Sequence, residues 1–260
     1  MQQADAIFET GAATHVGRVR TRNEDSHLAR PETGLWAVAD GMGGHADGDV
    51  ASQTLIRELE AIGRPTSATA ALDLLEDSVS RVNVRLRELG QQRGEVVGTT
   101  LAVLLARDGH YACIWSGDSR VYLIRDGEII QLSRDHTEVQ DLLAEGSITA
   151  EEARNWAGRN GITRAIGVYD EPELEMTSGP LSPGDAFVIC SDGLTNHVQE
   201  DEILRCVTAN RSQPACDELI TLTLERGAFD NVTVIVARYR PDGAPRVGTD
   251  GTPDLRERAG

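Results

Sequence analysis

Lysine is absent from this sequence of 260 residues, so its 25 basic residues are all arginines. A Walker loop needs its lysine at the nucleotide phosphates, and Schiff-base catalysis needs a lysine amine, so both chemistries are excluded. The 25 bases stand against 42 acids, which leaves a net charge of −17. A protein that follows nucleic-acid phosphates needs a basic face, and this balance argues against that class.

Paired cysteines and long apolar runs are also missing. The four cysteines are scattered without any CxxC spacing, which favours a reduced, intracellular protein. No apolar run reaches the length needed to cross a membrane, and the first residues lack the basic-then-apolar pattern of a signal peptide. We therefore expect a soluble, cytoplasmic protein.

The length and the composition of the C-terminal end predict one domain followed by a tail. A chain of this size can bury a substantial core, and we predict a single domain over residues 1–240. Residues 241–260 consist largely of proline, glycine and charged residues without an apolar period. We predict that they form a disordered tail.

Six apolar runs bounded by turn residues predict β-strands. Several runs are apolar on both faces, as in a sheet that another layer covers. Asp108-Gly109 and Asp126-Gly127 separate neighbouring runs, and Asp-Gly is a strong hairpin signal, so an antiparallel order follows for residues 100–132. The predicted strands are 35–40, 100–106, 111–117, 121–125, 186–192 and 232–239.

Apolar residues spaced three and four apart predict helices in pairs. Strands clustered in the middle of the chain, with paired helices around them, indicate a layered α+β protein whose helices pack outside stacked sheets. The predicted helices are 47–61, 68–89, 137–145, 149–157, 200–209 and 213–226.

Four aspartates lie at the ends of predicted strands. Asp40, Asp118 and Asp192 close or follow a strand, and Asp230 precedes one. Carboxylates that converge at one mouth of a sheet repel each other, and a hard divalent cation relieves that repulsion. Oxygen ligands favour Mg²⁺ or Mn²⁺ over zinc, and Gly41 would let a backbone carbonyl approach the cation. Any one Asp-Gly is better explained as a turn, but four aspartates at matching edges favour a metal site.

Eight short segments follow one another along the chain in a recognisable order. They are RTRNED (20–25), VADGMGGHADGDVAS (38–52), GTTLAVLL (98–105), WSGDSRVYLIRDG (115–127), LSRDHT (132–137), ITRAIG (162–167), VICSDGLTN (188–196) and DNVTVIV (230–236). In order and spacing they resemble the PPM family, the metal-dependent type 2C protein Ser/Thr phosphatases. The resemblance extends over residues 10–240, and DGMGG is similar to the bacterial members.

This resemblance implies a fold, an activity and partners. The implied fold is a central β-sandwich of two antiparallel sheets flanked by pairs of α-helices in α-β-β-α layers, with a flap over about residues 133–165. The implied enzyme hydrolyses phosphoserine and phosphothreonine by direct attack of a hydroxide that bridges two Mn²⁺ or Mg²⁺ ions, with a weaker third ion possible. Its implied partners are phosphorylated proteins and a bacterial Ser/Thr kinase that it opposes, and we expect a monomer that binds neither nucleic acid nor membranes.

The resemblance also implies the metal ligands. Asp40 matches the carboxylate that bridges both metals, and Gly41 matches the residue that offers its carbonyl. Asp192 and Asp230 match ligands of one metal of the pair. Asp118, together with Asp192, matches the third-metal site of bacterial members.

Three further residues match roles around the metals. Arg20 matches the arginine that grips the substrate phosphate, and it completes the predicted catalytic set with the aspartates at 40, 192 and 230. A guanidinium suits this task because it binds phosphate with two parallel hydrogen bonds and keeps its charge. Glu24 and Asp25 match acids that hold metal-bound waters.

The sequence departs from the family pattern in three places. Met42 replaces the histidine that eukaryotic members carry after the Asp-Gly pair, a change that bacterial members share, and nearby His45 fits an ordinary surface residue better. Asn196 replaces an aspartate, which predicts a weaker third-metal site. The flap reads NWAGRNGIT instead of containing a His-Pro pair, and Trp156 either rests on the substrate or, as we favour, pins the flap to its own domain.

Two other hypotheses compete with the enzyme. The chain could be a catalytically silent member that binds phosphoproteins, but a silent copy has no chemical need to keep Arg20, Asp40, Asp192 and Asp230 together. It could also be a metal-dependent nuclease with the same metal chemistry. The net charge and the absence of a basic track count against the nuclease.

Overall fold

The computed structural model describes residues 7–43, 47–154, 156 and 161–241. Within them, the strands are β1 (Ile7–His15), β2 (Asp25–Arg30), β3 (Leu35–Gly43), β4 (Val97–Thr99), β5 (Leu101–Arg107), β6 (His110–Ser116), β7 (Arg120–Arg125), β8 (Glu128–Gln131), β9 (Glu175–Pro180), β10 (Ala186–Cys190) and β11 (Val232–Arg240). The helices are α1 (Gly48–Glu60), α2 (Ala68–Arg93), α3 (Glu138–Ala144), α4 (Ala150–Arg154), α5 (Asp192–Thr195), α6 (Glu200–Ala209) and α7 (Ser212–Glu225). All but the first residue of the predicted tail 241–260 lie outside the described residues.

The strands form two antiparallel sheets. The first sheet has the order β1-β11-β10-β7-β8, and the second has the order β2-β3-β5-β6-β9 with β4 paired to β3. The two sheets pack face to face over a core that contains Trp36, Leu104 and Phe187. This arrangement confirms the predicted sandwich of antiparallel sheets.

Helices cover the outer face of each sheet because those faces are also apolar. On the second sheet, α1 and α2 bury residues such as Leu55 and Leu75 against the strands. On the first sheet, α6 and α7 do the same with residues such as Ile203 and Leu219. Strands that are apolar on both faces therefore occupy the two middle layers, which confirms the predicted α-β-β-α layering.

The two Asp-Gly pairs form the tight hairpins that the sequence predicts. Asp108 and Asp126 have φ values of 52° and 54°, and the glycines that follow them have values of 74° and 82°. Two consecutive positive φ values are typical of the type I′ turn, whose twist matches that of the strands it joins. These turns join β5 to β6 and β7 to β8.

The structure extends and shortens several predicted elements. Of the helix predicted at 149–157, the structure shows α4 over Ala150–Arg154, and residues 155 and 157 lie outside the described residues. Helix α2 continues to Arg93, and Gly94 ends it with a φ of 73°. Five strands have no counterpart among the six predicted strands: β1, β2, β4, β8 and β9. No helix among the described residues is long and apolar enough to cross a membrane.

Candidate active site

Chain segments from both sheets bring acidic residues to one end of the sandwich. In the second sheet, Asp25 at the start of β2 pairs directly with Asp40 near the end of β3. Asp118 lies in the turn between β6 and β7. In the first sheet, Asp192 follows β10 as the first residue of α5, and Asp230 lies just before β11. The order of the strands places all five residues at the same mouth.

The carboxylates are close enough to raise one another's pKa values. Burial, followed by the charges of Asp25, Asp192, Asp118 and Asp230, raises the pKa of Asp40 well above its ordinary value. Burial is also the largest cause of the pKa shifts of Asp25, Asp118 and Asp192. Their pKa values are raised to about 7, about 8 and about 6, respectively. Such a cluster favours protons or cations as partners.

Asp25 is held by Ser191, the residue that follows strand β10. The buried Ser191 hydroxyl donates a hydrogen bond of 2.7 Å to Asp25 Oδ2, and its oxygen accepts one of 3.0 Å from the Thr233 N–H. The other carboxylate oxygen, Oδ1, is buried and has no hydrogen-bond partner in the described part of the chain. Ser191 thus positions an acid, and Asp25 keeps one oxygen for a further ligand.

Arg20 and Asn196 contact two of the predicted metal ligands. Arg20 Nη2 donates to Asp230 Oδ2 at 2.7 Å, and this hydrogen bond raises the pKa of the half-exposed arginine. Asn196 Nδ2 donates to Asp192 Oδ2 at 3.0 Å. Across residues 7–43, 47–154, 156 and 161–241, no three His, Cys, Asp or Glu side chains lie close enough together to hold one ion. The carboxylates of the cluster repel one another, and Asp230 and Asp192 each accept a hydrogen bond from a neighbouring side chain.

Gly41 lies in a space that admits no side chain. Its N–H donates to the Glu24 carbonyl at 3.1 Å, and a Cβ at this position would lie 1.9 Å from the Gly48 carbonyl oxygen. The backbone at Gly41 is therefore closely packed between the loop that carries Glu24 and the start of α1. Burial raises the pKa of Glu24, with Asp49 and Asp230 adding to the shift.

Asn231 is a structural residue of the site that the sequence reasoning left without a role. Its Nδ2 donates to the carbonyls of Val16 and Arg22 at 2.9 and 2.8 Å, and its Oδ1 accepts from the Glu24 N–H at 2.8 Å. These bonds fasten the loop 16–24, which carries Arg20, to the start of β11. Asn231 is part of the segment DNVTVIV, but the sequence alone does not show which groups a polar residue beside a strand contacts.

Two residues of the segment LSRDHT support the turn of Asp118. The guanidinium of Arg120 pairs with both carboxylate oxygens of Asp135, at 2.8 and 2.7 Å. The Gly117 N–H donates to His136 Nδ1 at 3.1 Å. These contacts fix both sides of the turn and leave the Asp118 carboxyl at the mouth.

The structure describes some of the residues that depart from the family pattern. Met42 continues β3 and pairs with Gly98 of β4. His45 lies outside the described residues, as does most of the flap segment NWAGRNGIT. Trp156 is partly buried, and whether it pins the flap stays a prediction.

The chemistry of the cluster fits hard divalent cations. Its donors are carboxylate oxygens with raised pKa values, one buried oxygen without a partner at Asp25, and the closely packed backbone at Gly41. Oxygen donors of this kind suit Mn²⁺ and Mg²⁺, which prefer carboxylate and carbonyl ligands. A half-exposed arginine beside them adds an anchor for an anion.

Carboxylates crowded beside an arginine suit the hydrolysis of a phosphate ester with divalent cations as partners, which defines the class of metal-dependent phosphatases. The chain belongs to the protein phosphatase 2C family, whose model matches residues 14–226. This match confirms the predicted family.

Sequence and structural similarity to known bacterial proteins supports this membership. The serine/threonine protein phosphatase PstP of Mycobacterium tuberculosis is 37% identical over 240 residues, which cover 91% of this chain and 46% of the relative. The chain thus spans about half the length of that relative. The solved structure of PppA from Pseudomonas aeruginosa is 38% identical, with a TM-score of 0.84 over 91% of this chain and all of the other. A structure of the PstP catalytic domain with two manganese ions is 37% identical, with a TM-score of 0.79 over 90% of this chain and 99% of the other.

Proposed function

We propose that this chain is a Mn²⁺- or Mg²⁺-dependent phosphatase that hydrolyses phosphoserine and phosphothreonine in proteins. The observation that carries the proposal is the crowding of Asp40, Asp118 and Asp192, whose pKa values are raised by burial and by mutual repulsion, beside the half-exposed Arg20. The binding of two manganese ions by the PstP catalytic domain supports the choice of cofactor.

The proposed cation ligands are the four strand-end aspartates and one backbone carbonyl. Asp40 would bridge two cations, Gly41 would offer its carbonyl to one of them, and Asp192 and Asp230 would hold the other. Asp118 with Asp192 would hold a weaker third. Bound cations would acidify a water molecule at neutral pH and neutralise charge on the phosphoryl oxygens.

Arg20 is proposed to bind the phosphate of the substrate. Its side chain is half exposed and forms one hydrogen bond to Asp230, so further N–H groups of the guanidinium are available to an anion at the mouth. Two parallel hydrogen bonds from a guanidinium would orient the phosphoryl group as well as neutralise its charge. The hydrogen bond between Arg20 and Asp230 keeps the arginine close to the aspartates before substrate binds.

Glu24 and Asp25 are proposed to position water molecules beside the cations. The free Oδ1 of Asp25 is buried at the mouth, and Ser191 holds the other oxygen in place. Glu24 lies against the start of α1 and is fixed through its backbone by Asn231. Each carboxylate would accept a hydrogen bond from a water and so fix where that water lies.

The finer features of the activity are part of the same proposal. We propose a phosphatase domain over residues 1–240 that includes a flap segment over about residues 133–165. Names of relatives describe serine/threonine phosphatases, so we propose phosphorylated proteins as substrates and a bacterial Ser/Thr kinase as the enzyme that this one opposes. We further propose that it acts as a monomer without nucleic-acid or membrane partners.

A metal-dependent assay tests this proposal. The purified chain should hydrolyse p-nitrophenyl phosphate and a phosphothreonine peptide when Mn²⁺ is added, and EDTA should stop both reactions. Asp192→Asn should lower turnover by on the order of a hundredfold or more, because it removes a charged cation ligand. Asp201→Asn, at an exposed acid on α6, is the matched control and should leave turnover unchanged.

The assay also separates the competing hypotheses. A folded chain that binds the phosphopeptide without metal-dependent turnover would support the silent binding protein instead. Cleavage of DNA or RNA with Mn²⁺ would support the nuclease. Full activity of Asp192→Asn would contradict the assigned ligand.

A further inference from the structure

A cavity of about 240 Å³ lies on the outer face of the second sheet, far from the acidic mouth. It opens where the first turns of α2 leave the neighbouring strands β6 and β9 uncovered. Its walls are mostly apolar, and Met176 is exposed at the rim. The main lining side chains are Leu72, Leu105, Arg107, Ala112, Met176 and Ser178.

The alternation of side chains along the strands explains how this cavity is built. Leu105 packs on the helix side of the sheet, and Arg107, two residues later, lies on the same face. Ala112 of β6 pairs with Ser178 of β9, and both residues are small. Small residues at the edge of the sheet, with α2 turned away above them, leave a space that larger side chains would fill.

The charges around the cavity favour an anion. Arg107 Nε is buried without a hydrogen-bond partner among the described residues, and it forms a long ion pair of 3.9 Å with Asp108 Oδ2. His110 is the other titratable group with a charged cationic form in the lining, which contains no acid although the chain carries a net charge of −17. The first turn of α2 also contains no acid, and its N-terminus is capped by the neutral Ser67 hydroxyl, which accepts from the Ala70 N–H at 3.1 Å.

We propose that this cavity binds a small amphiphile with an apolar body and one anionic head, such as a medium-chain carboxylate. The head would accept hydrogen bonds from the Arg107 guanidinium, and the body would lie against Leu72, Leu105 and Met176. A cavity of ~150 Å³ accommodates benzene, so 240 Å³ suits a chain of about eight carbon atoms. Neither the phosphatase fold nor its chemistry requires such a site.

The cavity and the acidic mouth lie at opposite ends of β6. This strand begins at His110, which lines the cavity, and ends at Ser116, two residues before Asp118. Seven residues of extended strand span about 20 Å. A ligand in the cavity therefore does not compete with a phosphate at the mouth.

Methionine methyl groups report binding at both places. The sequence contains three methionines, of which Met176 lines the cavity and Met42 lies beside the acidic mouth. In ¹³C-methyl methionine NMR spectra of the full chain, octanoate should shift the Met176 signal saturably and leave Met42 unmoved. We expect 1-octanol, which has the same body without the charge, to bind about tenfold more weakly. Equal affinities for octanoate and 1-octanol would overturn the proposal.

Three variants separate recognition of the head from recognition of the body. Arg107→Gln should weaken octanoate binding to the level of 1-octanol, and Arg85→Gln, at an exposed arginine of α2 outside the cavity, should not change it. Ser178→Trp should fill the cavity and abolish binding of both probes. Unchanged circular dichroism and thermal unfolding will show that each variant is folded. Binding that persists in Ser178→Trp, or that is unaffected by Arg107→Gln, would contradict the assigned site.

Discussion

At the scale of single residues, a hydrogen bond joins Arg20, the proposed phosphate anchor, to Asp230, a proposed cation ligand. The two residues are 210 positions apart, and their side chains meet at 2.7 Å. In the proposed mechanism Arg20 binds phosphate while Asp230 binds a cation, so each role competes with the bond between them. The hydrogen bond therefore holds both side chains near the mouth, and each side chain keeps hydrogen-bonding capacity for a further partner.

Replacement of this arginine tests its proposed role. Arg20→Ala should raise the KM for a phosphopeptide by about tenfold, because a charge-assisted pair of hydrogen bonds to phosphate is lost, and should change kcat less. Arg22→Ala, at an exposed arginine in the same loop, is the control and should leave both constants unchanged. Steady-state kinetics measures the difference. An unchanged KM in Arg20→Ala would mean that phosphate is bound elsewhere.

The sequence indicated the acids of the site better than their partners. Asp40, Asp118, Asp192 and Asp230 could be found because each borders an apolar strand, and strand ends gather at sheet edges. The bonds from Asn196 to Asp192 and from Arg20 to Asp230 depend on side-chain directions in the folded chain. Periodicity carries no information about those directions, so these contacts could not be predicted.

At the scale of elements, Asn231 controls the position of the loop 16–24. Its side chain forms three hydrogen bonds to backbone groups of this loop, two as donor and one as acceptor. The loop contains no helix or strand of its own, so these bonds replace the backbone pairing that a regular element would supply.

Loss of this side chain should loosen the loop without removing a charged group. Asn231→Ala should lower the free energy of unfolding by about 2–3 kcal/mol, since three backbone groups lose their partner, and it should raise KM through Arg20. Asn210→Ala, at the end of α6, removes an asparagine with backbone and side-chain bonds far from the mouth. It should lower stability without changing KM. Denaturant unfolding and kinetics on both variants check this, and equal effects on KM would contradict the role of Asn231.

Strands differ in how clearly the sequence shows them. The central strands β5, β10 and β11 were predicted because both of their faces are buried, which gives continuous apolar runs. Strands β1, β2 and β9 lie at the edges of their sheets and mix apolar with polar or small residues, as in the segment EMTSGP of β9. An edge strand is stabilised by the partner it pairs with, and a local pattern does not show that partner.

At the scale of the whole molecule, the acidic mouth links stability to pH. Asp25, Asp118 and Asp192 have pKa values of about 7, 8 and 6 in the folded chain, above their ordinary value of 3.8. Between pH 3.8 and these values the folded chain holds protons that the unfolded chain has released. These three groups should therefore lower the stability as the pH rises through this window. His27, His136 and His197, whose pKa values burial lowers, act in the opposite direction up to their ordinary value of 6.5.

Thermal unfolding in EDTA and in Mn²⁺ tests this link. In EDTA, the Tm should decrease from pH 6.5 to pH 8, where Asp25 and Asp118 lose their protons, and Mn²⁺ should restore it most strongly at pH 8. Asp118→Asn should flatten the decrease in EDTA because one buried carboxylate is gone. Glu88→Gln, at an exposed acid on α2, should not. The same pH dependence of the Tm in Asp118→Asn and in the unsubstituted chain would contradict the raised pKa of Asp118.

The position of β11 in the first sheet has a consequence for synthesis of the protein. This strand lies between β1 and β10, so nearly the last segment of the domain to leave the ribosome inserts next to the first. Asp230 and Asn231 arrive with it, immediately before the strand. A nascent or prematurely terminated chain that lacks this segment therefore has neither the complete first sheet nor the assembled acidic mouth.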